Sequence, residues 1–174
     1  MDATEFYFQR QRNPTAQSNT WSNHKSKNTF KTLVGITPNG AFSFISDLWT
    51  SNISDRSITE RSGLIDLIEK GDHEMADRGF LIKDLLLSKG VTLNMPPFTR
   101  PFKHGKGRCL TAKEIKKSKS IASLRINVER SIQRLKSYKF LTGIMPINSP
   151  FVANQALKVA AFFCNLMKPL FPKS

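Results

Sequence analysis

Three acidic residues far apart in the chain carry the most chemistry: Asp2 in DATEF, Asp77 in MADRGF and Glu129 in RINVERSIQRLK. Their settings differ: the start of a strand, the end of a strand, and the middle of a basic helix. Two aspartates on strands and a glutamate on a late helix can converge on one point. Three carboxylates there would suit a pair of divalent cations. Phosphodiester chemistry needs charge neutralised at both the attacking and the leaving oxygen, which two ions about 3.5–4 Å apart provide. Carboxylate oxygens match hard cations such as Mg²⁺ and Mn²⁺; His and Cys do not. Each acid also has a plainer reading. Asp77 can mark a strand-to-helix turn, Glu129 can be the i,i+4 partner of Arg125, and Asp2 can be a frayed terminal residue. Asp55 reads as a helix start, and Asp72 reads as a turn residue and is second choice to Asp77.

Charge points toward a polyanion. The chain has 174 residues and a net charge of +14, very unevenly spread. Residues 100–139 hold thirteen basic and two acidic side chains, whereas residues 47–84 hold nine acidic and five basic and include Asp77. A basic block of that size is a footprint for nucleic-acid phosphates, or else a solvated face without a partner. Cys109 and Cys164 are too few for a disulfide framework and lack zinc-site spacing, and His24, His73 and His104 do not complete one. They read as ordinary thiols of a reducing compartment. No secretory signal opens the chain. The apolar run FVANQALKVAAFFCNLMKPLF is broken by Asn154, Gln155, Lys158 and Asn165, so it reads as a buried or half-buried helix and not a membrane span. Trp21 and Trp49 read as core or rim aromatics.

The elements that must position the acids follow from periodicity and punctuation. Strands are expected over 3–8, 30–36 and 41–46, the last two joined as a hairpin by Pro38-Asn39-Gly40. Gln9–Ser18 reads as a polar loop. Phe42 and Phe44 are expected on one buried face. A capping box at Ser57–Glu60 opens a helix closed by Gly71, with Ile58, Leu64, Ile65 and Ile68 as its apolar face. Residues 73–77 form a strand ending at Asp77, 81–88 a helix stopped by Gly90, and 91–95 a strand. Residues 98–110 are a basic loop. Thr111–Glu114 is a second capping box, with Leu110 and Ile115 at staple positions. The long helix behind it runs to about residue 138, with Ile121, Leu124, Val128, Ile132 and Leu135 as its seam. Glu129 lies about 100° round from Val128, at the rim of that seam. Arg125 and Lys136 share its stripe, and Arg130 and Arg134 lie close by. A last helix covers about 152–168. This β-β-β-α-β-α-β-α-α order implies an α/β protein, a mixed sheet flanked by helices, and suits a ribonuclease-H-like fold.

These stretches carry a resemblance. DATEF, TWSNHKSKNTFKTLVGITPNGAFSFIS, SDRSITERSGLIDLI, GDHEMADRGF, TLNMPPFT, SKSIASLRINVERSIQRLKSYKFL and FFCNLMKPLF resemble, in order, the DDE superfamily endonuclease domain of Harbinger-like transposases and genes derived from them. The resemblance implies one domain over residues 1–170, a ribonuclease-H-like fold, a two-ion Mg²⁺ or Mn²⁺ site and the cutting or joining of DNA strands in the nucleus. It places the metal-binding acids at Asp2, Asp77 and Glu129. Our own reading of the basic helix adds Arg125, Arg130, Arg134 and Lys136 as holders of DNA phosphates.

Relatives carry residues ahead of the first acid: the start of the first strand and usually a separate DNA-binding module. Here the acid is residue 2. A metal site tolerates positional errors of only about 0.5 Å, so the expectation is a weak or inactive nuclease, one that works with a separate DNA-binding subunit or as a homo-oligomer. Two further readings stand beside it: a non-catalytic DNA- or protein-binding module derived from a transposase, and a basic RNA-associated protein in which the three acids do not converge.

Overall fold

A computed structural model describes residues 1–77, 79–97, 100–101, 108–146 and 150–170. Its strands are β1 (Asp2–Tyr7), β2 (Trp21–Ser22), β3 (Lys27–Ile36), β4 (Phe42–Ile45), β5 (Trp49–Thr50), β6 (His73–Met75), β7 (Thr92–Asn94), β8 (Arg100–Pro101) and β9 (Arg108–Cys109). Its helices are α1 (Pro14–Thr20), α2 (Asp55–Arg61), α3 (Leu64–Leu67), α4 (Lys83–Ser88), α5 (Ala112–Lys136), α6 (Lys139–Thr142) and α7 (Pro150–Leu166). The α/β expectation holds. Arg78 and most of the basic loop 98–110 lie outside the described residues, apart from the two short strands β8 and β9 and Leu110.

The long strand β3 is the hub of the main sheet. β1 pairs antiparallel with one edge, with Asp2 opposite Val34 and Tyr7 opposite Thr29. β2, β5 and β4 pair antiparallel with β3 at successive positions. β6 and β7 form a separate parallel pair, with His73 opposite Thr92.

Strand alternation sends successive side chains to opposite faces, and both faces of the sheet are covered. Phe6, Phe8, Val34 and Phe42 pack with Val128, Ile132 and Leu135 of α5 and with Leu157, Ala160, Ala161 and Cys164 of α7. On the other face Met1 and Leu33 pack with Ile58, Leu64, Ile68, Phe80, Ile82 and Leu86. Asp2 shares the parity of Phe6 and Phe8, so β1 presents it on the side of α5.

Several boundaries differ from expectation. Gln9–Ser18 is not all loop. Asn13 accepts hydrogen bonds from the Thr15 and Ala16 N–H groups, and Pro14 follows as the first helical residue, so α1 forms. The helix expected from Ser57 begins at Asp55. Ser54 is its cap and accepts the Ser57 N–H, and Gly63, at φ +82°, divides it from α3. Phe42 and Phe44 do not share a face. The β3–β4 register shifts next to Gly35, where Gly35 opposes Phe44 and Ile36 opposes Phe42. The one-residue bulge at Ser43 sends Phe42 to the α5–α7 core and Phe44 to the other. The second capping box forms as expected, with both halves in place at Thr111 and Glu114, while Ile115 is exposed. Leu124 is the exposed member of the expected seam; Ile121, Val128, Ile132 and Leu135 are buried.

Candidate active site

Asp2, Asp77 and Glu129 line one narrow cleft of about 10 Å³, together with Met1, Met75, Ala76, Arg125 and Val128. Three elements supply them. β1 holds Asp2 through its pairing with Val34. Asp77 lies just past β6, whose line is extended by the Ala76 N–H donating to the Asn94 carbonyl at 3.2 Å. α5 supplies Glu129, one residue past buried Val128.

The hairpin turn fixes α5 against the sheet. The Ser131 hydroxyl donates to the Gly40 carbonyl at 2.8 Å, and the Asn127 amide donates to the Pro38 carbonyl at 3.3 Å. The other seam, between β1 and β6, is narrow. The Met1 ammonium donates to the Met75 carbonyl at 2.6 Å and lies 3.7 Å from Glu74 Oε2. Burial lowers the pKa of that ammonium.

The three carboxyls have unlike environments. Burial pushes the Asp2 carboxyl above the usual aspartate range, opposed by the Ala3 N–H that its Oδ1 accepts at 2.8 Å and by the charge of Arg125. Asp77 and Glu129 are 42 % and 61 % exposed, and Arg125 bridges them. Its Nη1 lies 2.8 Å from Asp77 Oδ1 and its Nη2 3.7 Å from Glu129 Oε1. The i,i+4 contact with Glu129 is legible from sequence. The contact with Asp77 is not, because nothing local links the two residues.

As a donor set the residues fit a hard divalent cation: three carboxylates, oxygen only, one already desolvated. As placed, no group of three His, Cys, Asp or Glu among the described residues encloses an ion. The guanidinium of Arg125 takes up the charge of two of the acids instead.

The other expected phosphate holders lie further along α5. Arg134 Nη1 donates to the Lys168 carbonyl at 3.0 Å. Lys136 is half-buried, with its ammonium 5.3 Å from the centre of the Phe6 ring, and its pKa is lowered by burial. Arg130 is exposed. The N-terminal half of α5 is exposed at Lys113, Lys116, Lys117 and Lys119. These lysines belong to the basic block, and Lys117 lies on the seam side, lining a cavity with Ile121 and Leu124. Asp72 and Asp55 have structural partners: Asp72 accepts the Glu69 N–H at 2.9 Å, and Asp55 lies 3.4 Å from Lys31. A larger cavity of about 400 Å³ shares Met1, Met75 and Val128 with the cleft and is also lined by Ile36, Ile121 and Leu124, with no carboxylate among its described lining residues. Its size does not make it the site, since it lacks the groups that the chemistry needs.

No helix among the described residues is long and apolar enough to cross a membrane. No curated protein and no solved structure gave a match to the chain. The family described as DDE superfamily endonuclease matches residues 1–165. With a match over nearly the whole chain, and an antiparallel main sheet and a separate parallel strand pair flanked by helices, the protein belongs to the DDE superfamily endonucleases and has their ribonuclease-H-like fold.

Proposed function

We propose that this chain is the catalytic domain, spanning residues 1–170, of a divalent-metal-dependent DNA endonuclease of the transposase type. The observation that carries this reading is the meeting of Asp2, Asp77 and Glu129 in one cleft from three separate elements. These three residues would hold Mg²⁺ or Mn²⁺, which when bound supplies charge neutralisation at the scissile phosphate. Around it the chain's own groups act on the substrate backbone. Arg125, Arg130, Arg134 and Lys136 hold phosphates, and the exposed lysines of α5 extend the basic track. Family and charge favour DNA in the nucleus as the substrate, met by a homo-oligomer or with a separate DNA-binding subunit.

A second reading, a non-catalytic DNA-binding module, is favoured by one observation: Arg125 already holds Asp77 and Glu129 in ion pairs. Nicking of supercoiled plasmid separates the two. The endonuclease reading expects nicking that requires Mn²⁺ or Mg²⁺ and is lost in Asp77→Ala and Glu129→Gln, with DNA binding retained. DNA binding that is indifferent to chelator, with no nicking at any metal concentration, would leave the binding module.

A further inference from the structure

We propose that Arg125 is a displaceable counter-ion, which holds the acids together without metal and passes to the substrate phosphate when a cation takes its place. The inference rests on the metal-site reading above and adds a switch to it.

Three observations lead there. The first is charge. One guanidinium bridges Asp77 and Glu129 with two different nitrogens, at 2.8 and 3.7 Å. A divalent cation drawn to the same carboxylates meets a like charge already in position, in a cleft of only about 10 Å³. The metal and the Arg125 guanidinium therefore compete for the same two acids.

The second is room to leave. A cavity of about 340 Å³ adjoins the cleft and is lined by Asp77, Pro96, Ser118, Ala122 and Arg125 itself. Ala122 and Ser118 lie one and two turns toward the N-terminus of α5. Helical side chains tilt toward the N-terminus of their helix, so a rotation from Glu129 to the Ala122 side follows the natural lean of the residue. Alanine at 122 leaves the path open.

The third is the destination. The swing carries the guanidinium out of the acid cleft to the mouth of that cavity, beside exposed Ala122 and one turn from exposed Lys119. A phosphate seated there would meet Arg125 directly, while Lys113, Lys116 and Lys117 lie on other sides of α5. A planar guanidinium there can bind a phosphate through two parallel hydrogen bonds. Arg125 would thus report the metal state to the substrate: engaged with acids when the ion is absent, engaged with DNA when it is present.

The experiment pairs Mn²⁺ titration by electron paramagnetic resonance with duplex-DNA binding in chelator and in non-cleaving Ca²⁺. Wild type, Arg125→Gln, Arg125→Lys and Glu129→Gln are compared. Exposed ion pairs of this kind hold their partners weakly, so Arg125→Gln is expected to bind Mn²⁺ about fivefold tighter than wild type, with Arg125→Lys between them. In chelator, Arg125→Gln binds DNA somewhat more weakly than wild type, by the small loss that one fewer positive charge brings. In Ca²⁺, wild type gains affinity and Arg125→Gln gains less. Mn²⁺ binding by Arg125→Gln that is equal to or weaker than wild type overturns the switch while leaving the metal site standing. Mn²⁺ binding that is absent, or unchanged by Glu129→Gln, overturns the metal-site reading and the switch with it.

Discussion

At the scale of single residues, the environment of each carboxyl decides what it can do. Asp2 is desolvated and its charge is costly, while Asp77 and Glu129 are half-exposed and share one guanidinium. A site assembled this way is stabilised by whatever cation occupies it, whether Arg125 or a metal ion. Asp47 shows the same physics away from the cleft. It lies 2.6 Å from Lys158 Nζ and accepts the Asn154 amide at 2.7 Å, and these hydrogen bonds hold its carboxyl below the usual range. A carboxyl with a depressed folded pKa binds fewer protons folded than unfolded. Its contribution is therefore present above the unfolded value of 3.8 and is lost as pH falls through the lower folded value. Because the pair is largely exposed, Asp47→Asn should lower stability at neutral pH by less than about 1 kcal/mol. Urea melts of the two proteins should converge as pH falls below the lowered folded pKa of Asp47.

At the scale of elements, the hairpin turn does more than reverse the chain. Gly40 has φ +88°, and a Cβ there would lie 3.0 Å from Ser131 Oγ. The same turn receives hydrogen bonds from Ser131 and Asn127 of α5, on either side of Glu129. Gly40→Ala therefore forces a left-handed backbone on an L-residue and crowds the joint that sets the height of Glu129. The expected loss is about 1–2 kcal/mol, measured by chemical denaturation. If the three acids hold metal as proposed, Mn²⁺ affinity should fall with it, because the helix can no longer dock as closely. The bulge at Ser43 is a second device of this kind: one extra residue lets a single strand feed the cores on both faces of the sheet.

At the scale of the whole molecule, α7 has two unlike sides. Leu157, Ala153, Ala160, Ala161 and Cys164 are buried against the sheet, while Phe151, Val152, Val159, Phe162, Phe163 and Leu166 are about half or more exposed. Leu157 is completely buried, so Leu157→Ala should cost about 2–5 kcal/mol through lost contacts and a residual cavity. Phe162, 60 % exposed, should change stability by about 0.5 kcal/mol or less when replaced by alanine. Thermal melts of the two variants side by side give the comparison. A net charge of +14 on so small a chain also repels itself, and addition of duplex DNA should raise the melting temperature at low salt.

Much of the architecture was determined by the sequence alone, because it depends on neighbours along the chain. The α5 capping box at Thr111, the helix stop at Gly90 and the turn at Gly40 stand where local chemistry puts them. The period of α5 also puts Glu129 beside its buried seam. Cap signals are obscured where a stronger pattern lies close by. Asn13-Pro14 sits inside a polar stretch, and the Ser57–Glu60 pattern overshadows the cap at Ser54. Tertiary structure decided the rest. It brought Asp2 and Asp77 to one cleft through contacts between Met1 and β6, and it set Arg125 against Asp77. It also put Phe42 and Phe44 on opposite faces. Periodicity shows which face of an element is apolar, but which charge meets which across a cleft depends on how the elements dock. That docking is set by the packing of both cores at once, and no single stretch of the chain records it.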